Sequence, residues 1–480
     1  MSIKSENLVV KSISGIFHSR VGISWLHNKN LTPIALSILA SLIFALLVLV
    51  LGPISLPIIF SVLILFPWLL KDVFRLFILL IGTWPVLSIY LRIPLPAGIP
   101  DISYDRVLVL LLLCVIIIES LISKRQLKKV TPFDFLVITY VIAQLISRIF
   151  VLWFGGIGKA DVNGLLDIIF IPAIMYWIVK NLFKSSFHLK WFLYALITVS
   201  VFICASGLYD RAIGADRGWL DVPGGRAVGV LGNPAIFGAT LGMGILACIV
   251  CMVDAKRVRT RMIFIAVIGV LIYGVFVSYT RSAWVSVFIV LFIAQFFISG
   301  LWKKTMPFFF IGLLILILMW DKFPTGSAYL QRAMTVNTIT DRVTLARVGW
   351  ERFLERPFLG WGSGALNIFS HNQTELSSHN IYLTFLVDGG VFLFLSFLVV
   401  IGYLLIRAIR TFMITKQGSF ERNILVAMVG NILIFLLSGL ALELRFFGYF
   451  NVLFWMSAGI IDFLGSRLLG GKSISEETKE

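Results

Sequence analysis

Five histidines occur in this chain, and one of them, His379, stands beside Asn380 at the edge of an apolar run, in "SSHNIYLTFLVDGG" (377–390). An imidazole neutral near pH 7 can take a proton from an attacking hydroxyl; at a helix edge it can equally be an interfacial cap. Asn380 is open in the same way, between orienting a reacting group and satisfying a helix start. His371 is the rival base, with a loop histidine as its plainer reading. Upstream lie arginines in settings that restrict them: Arg226 in "GGRAVGVLGNPAIFG", Arg281 in "SYTRSAW", and Arg342 at the head of "DRVTLARVGWERFLERP". A guanidinium is a planar fork of donors that matches phosphate oxygens bidentately and stays charged at physiological pH. An anionic lipid head or a diphosphate is therefore the expected ligand class. Each arginine has a competing reading: Arg281 can snorkel to lipid phosphate, and Arg226 can pair with Asp221.

The elements that hold these residues follow from composition. With 59% hydrophobic and 14% charged residues in 480, the chain lies outside the soluble range and reads as an all-α polytopic membrane protein. Runs long enough to cross a bilayer fall near 34–52, 54–70, 73–91, 107–122, 134–154, 165–183, 189–209, 234–253, 262–280, 282–300, 306–320, 390–406, 424–441 and 446–464. About 12 to 14 transmembrane helices are expected, with one long outer stretch at 321–389. Residues 1–33 read as a cytoplasmic segment rather than a cleaved signal.

With the N-terminus inside, "KRQLKK" (124–129), "KRVRTR" (256–261) and the 407–422 loop fall on the cytoplasmic face, as does the C-terminus. This obeys the positive-inside rule. The net charge of +17 is then largely topology and anionic lipid, and no nucleic-acid partner is needed. The outward loops break the rule with arginine: Arg211, Arg217, Arg226, Arg281, Arg332 and Arg342, then Arg347, Arg352 and Arg356. Within 341–357, Val343, Ala346, Trp350, Phe353 and Leu354 share a helical face, which predicts a surface-lying amphipathic helix capped by Asp341 and stopped by Pro357. Arg347, Arg352 and Arg356 then form a solvated face with Glu351 and Glu355. Arg148 and Asp167 are expected to pair within the bilayer, and Glu443 with Arg445 likewise. Cys248 and Cys251 sit in an apolar run and read as packing. No outward Asp-x-Asp is present to suggest a metal, and no cofactor is expected.

"GRAVGVLGNP", "YTRSAW", "DRVTLARVGWERFLERPFLGWGSG" and "SSHNIYLTFLVDGG" occur in the order seen in the O-antigen ligase and O-antigen polymerase superfamily, and residues 220–405 resemble it. The shared pattern is an arginine before Gly and Asn-Pro, a Thr-Arg at a span edge, an arginine fifteen residues before Pro-x-x-Gly-x-Gly, and His-Asn leading to Gly390. Leu393 stands where the ligase-like pattern carries a small residue or tyrosine, which leaves polymerase and ligase both open. The resemblance implies a GT-C-like, metal-independent, inverting glycosyltransferase of the bacterial inner membrane. Its donor would be an undecaprenyl-diphosphate-linked glycan and its acceptor a sugar hydroxyl, either on a second lipid-linked glycan or elsewhere. Arg226, Arg281 and Arg342 would bind the diphosphate and His379 would act as base, whereas a retaining course would need a carboxylate such as Glu375 or Asp388. The expected organisation is a cytoplasmic segment (1–33), N-terminal spans (34–209), a ligase-like region (210–405) and C-terminal spans with a tail (406–480). A transporter or flippase for the same lipid, without chemistry, is the alternative.

Overall fold

The computed structural model describes residues 72–96, 99–122, 125–153, 162–213, 226–298, 300–302, 337–366 and 380–470. All but Asp72 belong to one unit, Val73–Glu480. The expected spans at 34–52, 54–70 and 306–320, and His371, Glu375 and His379, lie outside the described residues.

The helices are α1 (Val73–Tyr90), α2 (Tyr104–Leu121), α3 (Pro132–Trp153), α4 (Val162–Leu165), α5 (Ile171–Leu182), α6 (Ser186–Ile213), α7 (Pro234–Asp254), α8 (Val258–Val277), α9 (Arg281–Phe297), α10 (Asn337–Glu355), α11 (Ile381–Ile414), α12 (Phe420–Gly439) and α13 (Gly448–Leu468). A π-helical turn, Leu166–Phe170, joins α4 to α5. Between α1 and α2 a two-residue antiparallel ladder pairs Arg92 with Ser103 and Ile93 with Ile102. Eight of the described helical stretches are long and apolar enough to cross a membrane, and the protein is an all-α polytopic membrane protein.

α7 and α13 are the buried centre. Glycines bring α7 close to its neighbours: a Cβ on Gly242 would lie 2.3 Å from Val287 of α9, and one on Gly244 2.3 Å from Ser200 of α6. Small residues that admit close backbone approach are the usual means of helix association in lipid. α8 instead presents Ile263, Ile265, Val270 and Ile272 outward, as a helix facing lipid does.

Several charged groups inside the bundle are matched. At the end of the bundle that carries the Lys/Arg-rich loops, the Lys180 ammonium of α5 bonds to Asp134 of α3 and lies 3.1 Å from Asp462 of α13. Asp462, wholly buried, also meets Arg407 of α11 at 2.7 Å, and the Tyr176 hydroxyl donates to both acids at 2.8 and 3.1 Å. Buried ions without such partners would each cost several kcal/mol.

The expected Arg148–Asp167 pair is corrected. Asp167 takes a bidentate hold from Arg106 of α2, at 2.9 and 2.7 Å, and Arg106 also donates to Asn163 Oδ1 at 2.7 Å. The π-helical turn carries Asp167 to that partner, a shift in phase that helical periodicity could not foresee.

Candidate functional site

Three helix N-termini converge at the end of the bundle opposite the Lys180 cluster. A Cβ on Gly238, one turn into α7, would lie 2.8 Å from Ala283 of α9. Ser286 of α9 hydrogen bonds Ser438, at the last turn of α12, at 2.9 Å. α12 in turn meets the start of α11, where the Tyr382 hydroxyl donates to the Leu436 carbonyl at 2.7 Å. Two of these starts are capped by asparagine: Asn233 accepts from Ala235 and Ile236 N–H at 2.9 and 3.2 Å, and Asn380 from Tyr382 and Leu383 N–H at 2.9 and 3.1 Å. Asn380 is therefore the helix cap, the plainer of its two readings. The three positive helix ends favour an anion between them.

The arginines expected at the site come to this end. "GRAVGV" folds inward, with Ala227, Val228 and Val230 buried. The Ala227 N–H donates to the Val277 carbonyl at 3.1 Å, which ties Arg226 to the turn before Arg281. Gly229, at φ +51°, lets the loop press on α6, where Val230 N–H donates to Ser206 Oγ at 3.2 Å. The turn itself is locked by "YTRSAW". The Trp284 indole N–H reaches back to the Val275 carbonyl at 2.7 Å, and its ring stacks on Phe276. Tyr279 then takes φ +50°, a left-handed conformation that bulky residues rarely adopt, and Arg281 follows as the first residue of α9.

Arg342 approaches from α10. This helix starts at Asn337, four residues earlier than read from the sequence, so Asp341 lies inside it rather than at its cap. Of its expected apolar face, Phe353 turns inward. Leu345 and Phe353 are buried and Gly349 meets Leu383 of α11, whereas Val343, Trp350 and Leu354 are more than half exposed. The helix thus has two apolar stripes: one packs on α11, and the other is the stripe a surface-lying helix turns to lipid. Arg342 lies seven residues before Gly349, on the packed face. Partial removal from water, and after it repulsion from the Arg281 guanidinium, lower its pKa from the usual value. Its side chain nevertheless remains exposed. Arg347 and Arg352 face solvent and pair with Glu351 and Glu355 at 3.0 and 2.9 Å, as read from the sequence, while Arg356 stacks over Trp361 at 4.1 Å.

A main-chain clip sets the angle at which α11 begins. At Gly390 (φ +63°, ψ −164°) the helix breaks. Trp361 and Gly362 N–H donate to the Val387 and Asp388 carbonyls at 2.8 and 2.9 Å, and Val391 and Phe392 N–H donate to the Pro357 and Phe358 carbonyls at 2.7 and 3.4 Å. Backbone groups freed by the break are thereby satisfied, as an apolar environment requires. A Cβ on Gly390 would lie 2.3 Å from the Phe358 carbonyl, and one on Gly360 2.5 Å from that of Val387. The span expected at 390–406 accordingly runs from Ile381 to Ile414, since Gly389-Gly390 marks a bridged break rather than an end. Leu393 is buried over Gly389, so it is a packing residue.

Asp388 fastens the clip. Its carboxylate accepts from Gly364 and Leu366 N–H at 2.9 and 3.3 Å and from Arg445 Nη2 at 2.8 Å. Arg445 also holds Glu443 at 2.8 Å, the pair read from the sequence. Asp388 is wholly buried and committed to these donors, which corrects its reading as an available nucleophile.

Sequence reasoning counted Arg211 among the outward arginines without assigning it to the site. In the structure its guanidinium lies 5.0 Å from the centre of the Tyr279 ring. The available signal is Gly207, four residues earlier on the same face of α6, which packs against Ala227 and Phe237.

No curated protein matches the chain. Residues 266–398 match the family described as O-antigen ligase, a span that takes in Arg281, α10, the clip and the start of α11. Over that span this multi-pass membrane protein is similar to the O-antigen ligase family, as its motifs led to expect.

Proposed function

We propose that the protein transfers or polymerises an undecaprenyl-diphosphate-linked glycan onto a sugar hydroxyl at the outer face of the bacterial cytoplasmic membrane, with both termini inside and without a metal. The observation that carries this reading is the convergence of the starts of α7, α9 and α11 at one end, where Arg281 opens α9, the Ala227–Val277 hydrogen bond ties Arg226 to the preceding turn, and Arg342 lies on the face of α10 that packs on α11. Guanidiniums gathered at one end suit a polyanion, and a diphosphate offers enough oxygens for Arg226, Arg281 and Arg342. Fixed donors of this kind stabilise the charge that develops on a leaving group.

In the proposed step the acceptor hydroxyl gives its proton to His379, the residue before Asn380 in the sequence. Its oxygen forms a bond to the anomeric carbon from the face opposite the departing group. The bond from that carbon to the diphosphate oxygen breaks, undecaprenyl diphosphate leaves with the electron pair, and the configuration inverts. Surface-polysaccharide assembly is the setting that fits these substrates.

The test supplies purified protein with a lipid-linked repeat unit, first alone and then with a second sugar acceptor. Chain growth on the repeat unit alone identifies a polymerase, and product only after the second addition a ligase. A His379→Ala variant is expected to bind the donor and form no product. Wild-type turnover by that variant would overturn the assignment of the base, and translocation of the lipid without a new glycosidic bond would replace transfer with transport.

A further inference from the structure

Arg211 occupies the last turn of α6 and Tyr279 the turn between α8 and α9, two segments that meet across the inward-folded loop at Arg226. Several contacts build this junction. Gly207 lies so close to the loop that a Cβ there would be 3.3 Å from Ala227, and Ser206 Oγ accepts from Val230 N–H at 3.2 Å. Residues four apart share a helical face, so Arg211 projects one turn beyond this contact, on the side where the loop and the α8–α9 turn lie. Its guanidinium stacks over the Tyr279 ring at 5.0 Å. Its Nη1 is buried and has no hydrogen-bond partner among the described residues. Tyr279 holds the ring there from a left-handed backbone, two residues before Arg281. Strain of this kind persists where the surrounding structure fixes it and concentrates at functional sites.

We propose that Arg211, held on the Tyr279 ring, is a fourth guanidinium of the diphosphate site and sets its selectivity for diphosphate over monophosphate. The proposal rests on the anion site formed by Arg226, Arg281 and Arg342. Stacking leaves the in-plane N–H donors of a guanidinium open to an oxygen, so one face of Arg211 serves the ring and its edge serves the ligand. A cation in the last turn of a helix also complements the helix dipole, a role that any positive charge fills, whereas the fork on an aromatic platform requires arginine.

The full chain in phosphatidylcholine nanodiscs is titrated calorimetrically with farnesyl diphosphate and with farnesyl monophosphate. Arg211→Ala is expected to weaken diphosphate binding by about tenfold or more while changing monophosphate binding by less than about threefold. Arg211→Lys is expected to recover thermal stability but not selectivity, and Tyr279→Leu to resemble Arg211→Ala. Full recovery of selectivity in Arg211→Lys would overturn the proposal in favour of the dipole role. Unchanged binding in Arg211→Ala beside a loss in Arg281→Ala would overturn it while leaving the anion site standing. Unchanged binding in both would remove the anion site and this proposal together.

Discussion

Two regions of the bundle treat cations differently. At one, Lys180 and Arg407 share Asp134 and Asp462, and each positive charge touches a carboxylate. At the other, Arg281 opens α9 and Arg342 lies on the face of α10 that packs on α11. Arg445 belongs with the first kind although it lies near the second, since Glu443 and Asp388 both hold it at 2.8 Å. Cations matched by acids spend their charge on holding helices together. Those gathered where α9 begins are the ones that the proposed diphosphate would engage.

If that division is right, substitutions on the two sides must fail differently. The largest effect is expected at Arg445→Ala, which leaves two buried carboxylates without their cation and should cost about 3–5 kcal/mol of stability, seen as a lowered thermal midpoint in detergent. A midpoint near that of the wild type would show that the matched cluster is not what holds the clip. Arg281→Ala should do the reverse, lowering turnover of a lipid-linked donor by about 100- to 1,000-fold with the midpoint preserved. Loss of folding in that variant would erase the distinction between the two ends.

Gly390→Ala tests the frame between them. A left-handed backbone at a residue with a Cβ costs about 1–3 kcal/mol, and the Cβ would meet the Phe358 carbonyl as well. The expected result is lower stability with increased proteolysis of the 357–366 loop, and an unaltered digest would mean the clip is dispensable. Asn380→Ala removes an N-cap worth about 1 kcal/mol, so Asn380→Ser should recover both stability and turnover. Recovery of stability alone would give Asn380 a role toward substrate in addition to its cap.

The smallest effect concerns Asp101, whose carboxyl is held below the usual carboxylate range first by its hydrogen bond with Arg92. A pKa depressed on folding contributes stability above the unfolded value and loses it as pH falls through the folded one. Asp101→Asn should therefore flatten the acid limb of the stability profile slightly and leave neutral pH nearly unchanged. A shift at neutral pH would mean that the short ladder depends on more than this pair.

Much of this was legible in the sequence because lipid and charge impose one-dimensional rules. Apolar length located α1, α6, α7 and α12 to within a few residues, and arginines outside the positive-inside pattern pointed to the end where Arg226, Arg281 and Arg342 gather. The misreadings share a cause, in that each turned on a contact between segments distant in sequence. A π-helical turn sends Asp167 to Arg106 instead of Arg148. Asp388 looked like a free acid, and only the fold brings Arg445 to it from beyond α12. Gly390 resembled a helix start because nothing local reveals the loop that spans the break.

The clip at Gly390 carries a consequence for how such a chain can change. Its four bonds join backbone to backbone, so the frame is indifferent to most of the side chains hung on it. Phe358 and Leu359 project outward from this segment, the first of them 78% exposed. Glycine is demanded at 360 and 390, but positions such as 358 and 359 are free to drift. Mutation can therefore redraw the surface of this segment while the scaffold beneath it stays in register.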